Sequence, residues 1–132
     1  MDLFSKLKKM RILLIDDDEW IRDSLQQFFE AEGCHLTALE TAEEAVAALK
    51  KQDFDIIITD FKLPGMDGLD FLGSIQESSA RAIKILITAY GSEEVVAEAG
   101  RRGVQAFIEK PFTSDIVEGT LSSLIDRYNV RK

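Results

Sequence analysis

Five short apolar runs rich in β-branched residues alternate with five longer segments of helical periodicity. That alternation constrains the fold more than any other feature of the 132 residues. The runs are Arg11–Ile15, His35–Leu39, 54–59, Ile83–Thr88 and Ala106–Glu109. Ile12-Leu-Leu-Ile15 and Ile56-Ile-Ile58 are continuously apolar, as strands are when a parallel sheet is covered on both faces. His35–Leu39 is mixed in character, which places it near a sheet edge.

The segments between them predict helices. Residues 19–32 put Ile21, Leu25, Phe28 and Phe29 on one face and stop at Gly33, a residue suited to a helix C-terminus. Residues 41–50 open with Thr41 and Glu44, the spacing of a capping box. Residues 67–76 follow the Pro64-Gly65 turn and bring Leu69, Phe71, Leu72 and Ile75 inward. Residues 92–102 offer Val95, Val96 and Ala99, and residues 113–128 offer Ile116, Val117, Leu121, Leu124 and Ile125. A βαβαβαβαβα order calls for an α/β fold: a doubly wound, five-stranded parallel sheet in a three-layer sandwich. No repeat or Gly/Pro-rich linker divides the chain. Residues 1–10 read as a frayed N-terminal extension, with a short helix that docks on a partner as the alternative, 11–128 as the domain and 129–132 as a tail.

Composition narrows the function. A net charge of −8 opposes non-specific nucleic-acid binding, which needs a basic face. A single cysteine, Cys34, excludes an internal disulfide framework and a Cys-rich zinc site. The apolar runs fall far short of a membrane span, and the lysines at the N-terminus precede too short an apolar run for a signal peptide. A reduced, cytoplasmic setting is expected.

In doubly wound folds the site lies beyond the carboxyl ends of the strands, where strand order reverses. The first strand ends in Asp16-Asp17-Asp18, the third in Thr59-Asp60, the fourth in Thr88 and the fifth in Glu109-Lys110-Pro111. Three carboxylates, a hydroxyl and an ammonium therefore converge. Two like charges about 4 Å apart repel by roughly 4 kcal/mol at an effective dielectric near 20, so the carboxylates call for a cation. Oxygen-only ligands suit Mg²⁺, with Mn²⁺ an alternative. A carboxylate flanked by Mg²⁺, Lys and Thr is equipped to take up a phosphoryl group, with Asp60 as nucleophile.

These residues resemble the response-regulator receiver domains of two-component signalling over about residues 10–128. The resemblance rests on Leu13-Leu-Ile-Asp-Asp-Asp18, on Asp55-Ile-Ile-Ile-Thr-Asp60-Phe-Lys-Leu-Pro-Gly-Met-Asp-Gly68, on Leu86-Ile-Thr-Ala-Tyr-Gly91 and on Ala106-Phe-Ile-Glu-Lys-Pro-Phe112. It implies a flavodoxin-like (βα)5 fold and a non-enzymatic switch that assists its own phosphorylation and slow self-hydrolysis. Asp60 matches the phosphoacceptor. Asp17 matches the direct Mg²⁺ ligand, Asp16 its water-linked partner and Lys62 the residue whose carbonyl completes the metal shell. Thr88 and Lys110 match the phosphoryl-binding pair, Phe107 the switch aromatic and Pro111 a cis-proline. Side chains at Lys62 and Tyr90 would flank the path of the hydrolytic water and prolong the phosphorylated state. A Phe at 107 lacks the hydroxyl of a Tyr, so coupling would rest on packing alone.

The implied partners are a sensor histidine kinase or histidine phosphotransfer protein, and a downstream protein effector or second copy. The latter would meet the surface formed by 92–102, Ala106–Glu109 and 113–128. Other readings fit less well. A haloacid-dehalogenase-type phosphohydrolase needs Asp-x-Asp-x-Thr/Val and a cap, whereas position 20 is Trp. A flavodoxin-type carrier would not have an acidic first loop, and a phosphorylation-independent receiver would not need the full residue set. Asp18 and Glu19 read as rim or helix-start acids, Asp67 as a helix cap, His35 as an ordinary strand residue and Cys34 as a structural thiol. Trp20 reads as a packing residue, with the alternative of an emission reporter for Mg²⁺ or phosphate.

Overall fold

The computed structural model describes residues 2–89 and 91–131, without the side chains of 128–131. The elements are α1 (Leu3–Leu7), β1 (Arg11–Ile15), α2 (Glu19–Ala31), β2 (His35–Leu39), α3 (Ala42–Lys51), β3 (Ile56–Asp60), α4 (Gly68–Ser74), β4 (Ile83–Thr88), α5 (Glu93–Arg101), β5 (Ala106–Glu109) and α6 (Ser114–Arg131). The five strands form one parallel sheet in the order β2-β1-β3-β4-β5, with β2 at an edge. Strand order reverses between β1 and β3, and the crevice at their carboxyl ends is the place such a sheet offers for a site.

Alternate residues of each central strand serve opposite faces. Ile12, Leu14, Ile56 and Ile58 pack with Leu25 and Phe29 of α2 and with Val117, Leu121, Leu124 and Ile125 of α6. Leu13, Ile15, Ile57 and Leu86 pack with Ala42 and Ala45 of α3, Phe71 and Leu72 of α4 and Ala99 of α5. Each fully buried Leu, Ile or Phe contributes about 1.5–3 kcal/mol of transfer free energy. This double covering explains why the central runs are apolar at every position.

The helix ends follow local chemistry. Thr41 and Glu44 form a capping box at α3, and Asp18, Asp67 and Ser92 each accept a backbone N–H at the start of α2, α4 and α5. Gly33 has φ +76° where the chain leaves α2, a conformation that costs a side-chain-bearing residue. Arg102, just past α5, donates to the Leu69 carbonyl of α4 at 2.8 Å.

The structure departs from the sequence reading at several points. Residues 3–7 are not frayed. Leu7 is fully buried in the α2/α6 core, Phe4 meets Phe28 edge to face at 5.9 Å, and Lys6 pairs with Asp126 at 3.3 Å. β3 begins at Ile56, just after Asp55, whose carboxylate accepts the Arg11 amide, and it runs on to Asp60, which pairs with Ile87. α4 stops at Ser74, where Gly73 and the serine weaken the helix and the Ser74 hydroxyl bonds the Phe71 carbonyl at 2.7 Å. α6 continues to Arg131, since residues 129–131 hold neither Gly nor Pro. Val96 and Ile116, among the apolar residues of their helices, are 40% and 48% exposed. Among the described residues no helix is long and apolar enough to cross a membrane.

Candidate functional site

Asp16 follows the last residue of β1 and is completely buried. Its amide donates to the Leu39 carbonyl at 3.1 Å, its Oδ1 accepts the Asp18 amide at 2.9 Å, and its carbonyl oxygen accepts Arg22 Nη1 at 2.8 Å. Its Oδ2 has no hydrogen-bond donor. Lys110 Nζ lies 3.3 Å from that oxygen, near enough for attraction but at an angle that makes no hydrogen bond.

Asp60 ends β3, the middle strand, and is buried. Its Oδ2 accepts Lys110 Nζ at 3.0 Å. Asp17 is exposed at the rim, and one oxygen each from Asp16, Asp17 and Asp60 lie within 4.8 Å of one another. The strand ends thus gather three carboxylates, two of them beside one ammonium. Burial pushes the Asp16 carboxyl up to about 6, and the charge of Asp60 adds to the rise against the Asp18 amide and Lys110. Burial raises Asp60 as well, opposed by its bond to Lys110. Burial works against the Lys110 ammonium, but the bond to Asp60 and the charge of Asp16 outweigh it and hold Lys110 above the usual lysine range.

A buried carboxylate oxygen that accepts no hydrogen bond and has only the ion pair with Lys110, beside two more carboxylates, belongs to a ligand set that a hard divalent cation would complete. Nitrogen and sulfur ligands are absent from this cluster, which fits Mg²⁺ or Mn²⁺ better than a softer metal.

The remaining residues singled out in the sequence take these places. Thr88 ends β4, buried, in register with Glu109. Phe107 lies opposite Leu86 on β5, half-buried among the residues that pack on α3, α4 and α5. Lys62 is exposed in the loop after β3. The Lys110–Pro111 peptide bond is cis. Tyr90 lies outside the described residues. Asp18 caps α2, and Asp67 caps α4. Cys34 is buried, and His35 is exposed on the edge strand. Trp20 does not pack inward: it is 76% exposed, and with Ile21, Phe28 and Phe112 it lines a groove of about 1000 Å³ that reaches Lys110.

Two residues that pattern reasoning passed over also shape the site. Arg22, one turn into α2, reaches back six residues to the Asp16 carbonyl. Its only signal is a basic residue shortly after the acidic run 16–19. Gly68 donates to the Phe61 carbonyl at 2.8 Å, and a Cβ there would overlap the carbonyl oxygen of Asp60. The signal for this close approach is a second glycine shortly after the Pro64-Gly65 turn.

Comparison with known proteins bears on this arrangement. The chain is 34% identical over 125 residues to the chemotaxis protein CheY-3 of Vibrio cholerae, covering 91% of this chain and 95% of that protein. It is 35% identical over 105 residues to the C4-dicarboxylate transport transcriptional regulatory protein DctD of Pseudomonas aeruginosa, covering 80% of this chain and 23% of that protein. This chain thus spans about a quarter of the length of such regulators. A CheY-like receiver domain structure from Methanospirillum hungatei superposes with a TM-score of 0.87 at 30% identity, over 93% of this chain and 98% of that one. The beryllofluoride-activated NtrC4 receiver domain dimer gives 0.82 at 34% identity, over 89% and 98%. The family model described as response regulator receiver domain matches residues 12–121, and the chain belongs to that family.

Proposed function

We propose that Asp60 is the phosphoacceptor of a signalling switch, receiving a phosphoryl group from a phosphohistidine of a sensor histidine kinase or histidine phosphotransfer protein. The observation that carries this reading is the convergence of Asp16, Asp17, Asp60 and Lys110 at the carboxyl ends of β1, β3 and β5. In the transfer an Asp60 carboxylate oxygen attacks phosphorus, an O–P bond forms as the N–P bond breaks, and the imidazole leaves as a neutral base after taking up a proton. Asp16, Asp17, Asp60 and the carbonyl of Lys62 would hold Mg²⁺. When bound, that ion supplies positive charge against the phosphoryl oxygens.

Lys110 already touches Asp60 and would shift its bond to a phosphoryl oxygen as charge builds there. Thr88, buried at the end of β4 on the strand next to β3, would approach the phosphoryl group from that side. A shift of its hydroxyl toward the phosphoryl group draws in the loop after β4 and leaves room for Phe107 to turn inward. The α5-β5-α6 surface then presents a new shape to an effector or a second copy, a bistable element biased by a local charge event. Without a ring hydroxyl, Phe107 transmits the change by packing alone. Lys62, exposed beside the pocket, shields the new acyl phosphate from water.

Incubation with Mg²⁺ and acetyl phosphate, read by intact mass, tests the proposal. One phosphoryl mass is expected on the wild type and none on Asp60→Ala or on protein held in EDTA. Addition that persists in Asp60→Ala removes the assignment. Followed after removal of the donor, the adduct is expected to decay faster in Lys62→Ala, and an unchanged decay rate removes the role given to that side chain.

A further inference from the structure

We propose that Arg22 is a positioning residue for the acidic pocket: by fixing the peptide between Asp16 and Asp17, it aims both carboxylates and so sets the affinity for a divalent cation. The inference rests on the reading of the three carboxylates as a cation site.

The carbonyl that accepts Arg22 Nη1 at 2.8 Å belongs to that peptide. The next peptide is held too, because the Asp18 amide donates to Asp16 Oδ1. On the near side the Asp16 amide is held by Leu39 of the edge strand. Every polar atom of Asp16 except Oδ2 is therefore engaged by a group outside the carboxylate cluster, and Oδ2 is left to face Lys110 and the other acids. Of these engagements only the one from Arg22 comes from a side chain. It ties the loop to α2, the helix whose N-terminus the same loop caps through Asp18. Without it, the Asp16–Asp17 peptide can rotate and carry both carboxylates off their common focus. Groups that orient metal ligands in this way typically change affinity about 10–100-fold when removed.

Positioning and simple electrostatics predict opposite signs. Arg22 carries a positive charge, and removing a cation from the edge of an acidic pocket would tighten Mg²⁺ binding if charge were its only contribution. Positioning predicts that binding weakens.

The test is an Mg²⁺ titration of the unphosphorylated protein, followed by the amide NMR shifts of Asp17 and Phe61. Arg22→Met is expected to weaken binding about tenfold or more, and Arg22→Lys, which restores one donor, to recover part of the loss. Asp17→Asn serves as the positive control for the cation site. Arg102→Met, which removes the remote contact from the end of α5 to α4, is expected to lower the Tm and leave Mg²⁺ affinity unchanged. Equal or tighter binding by Arg22→Met overturns the inference while the cation site stands. An equal loss in Arg102→Met overturns it as well, since the effect would then be general loosening. A wild type without saturable shifts, or an Asp17→Asn variant that binds as the wild type does, overturns the cation reading and the inference with it. Should Arg22→Met not fold, Arg22→Gln carries the same expected loss and the same overturning result.

Discussion

Asp16 holds a buried carboxylate oxygen that the fold supplies with no donor, and its carboxyl is pushed up to about 6 from an ordinary 3.8. An acid raised on folding has a stability consequence of definite sign. Below about pH 4 both folded and unfolded chains carry the proton, and nothing is lost. Between about pH 4 and 6 the unfolded chain releases it first, so stability falls as pH rises, by on the order of 3 kcal/mol. Above pH 6 the whole penalty is present. In EDTA, Asp16→Asn is therefore expected to raise the Tm at pH 7 and to flatten the decline between pH 4 and 6. In the wild type at pH 7, Mg²⁺ is expected to raise the Tm. A variant no more stable than the wild type in EDTA would show that the cluster stores no such penalty. The acids and Lys110 were legible because each follows a strand end, where the fold itself specifies convergence. Arg22 and Gly68 were not: one acts through a carbonyl six residues back, the other through the atoms its missing Cβ leaves free.

At the scale of elements, α1 shows where periodicity stops being informative. Five residues are too few for a helical repeat to register, and a helix of that length does not stand alone in water. It forms here because Leu7 fills a seat between α2 and α6 and Asp2 caps its first turn by accepting the Ser5 amide at 2.8 Å. The exposed pair of Lys6 and Asp126 adds little. Leu7→Ala is expected to destabilise the protein by about 2–5 kcal/mol, as loss of a buried leucine does elsewhere. Urea denaturation measures this, and a loss under about 0.5 kcal/mol, typical of a surface position, would restore the frayed reading. Acetyl phosphate labelling of the folded variant should be unaffected, since Leu7 packs in the α2/α6 core and is not among the residues of the acidic cluster. The strands were legible almost to the residue, because a doubly covered sheet leaves unbroken apolar runs. The ends of β3 and α4 were not, since an apolar pattern does not mark where pairing stops, and at α4 the Ser74 hydroxyl takes up the Phe71 carbonyl.

For the whole molecule the question is how far an event at Asp60 travels. Thr88 and Phe107 belong to neighbouring strands, and Phe107 sits opposite Leu86, two residues before Thr88. This places the proposed relay on the face of the sheet that carries α5. Hydrogen exchange with Mg²⁺ and acetyl phosphate is expected to change protection in α5, β5 and α6. In Phe107→Ala, Asp60 should take up the same phosphoryl mass while those changes shrink. Full-sized changes in that variant would remove Phe107 from the relay. The sheet has a further effect. Because it separates two apolar compartments, the side chains behind α3, α4 and α5 form a cluster distinct from those beneath α2 and α6. Lineages carrying this domain can therefore revise one wall while the other keeps its shape, and recognition on the two sides is free to drift at separate rates.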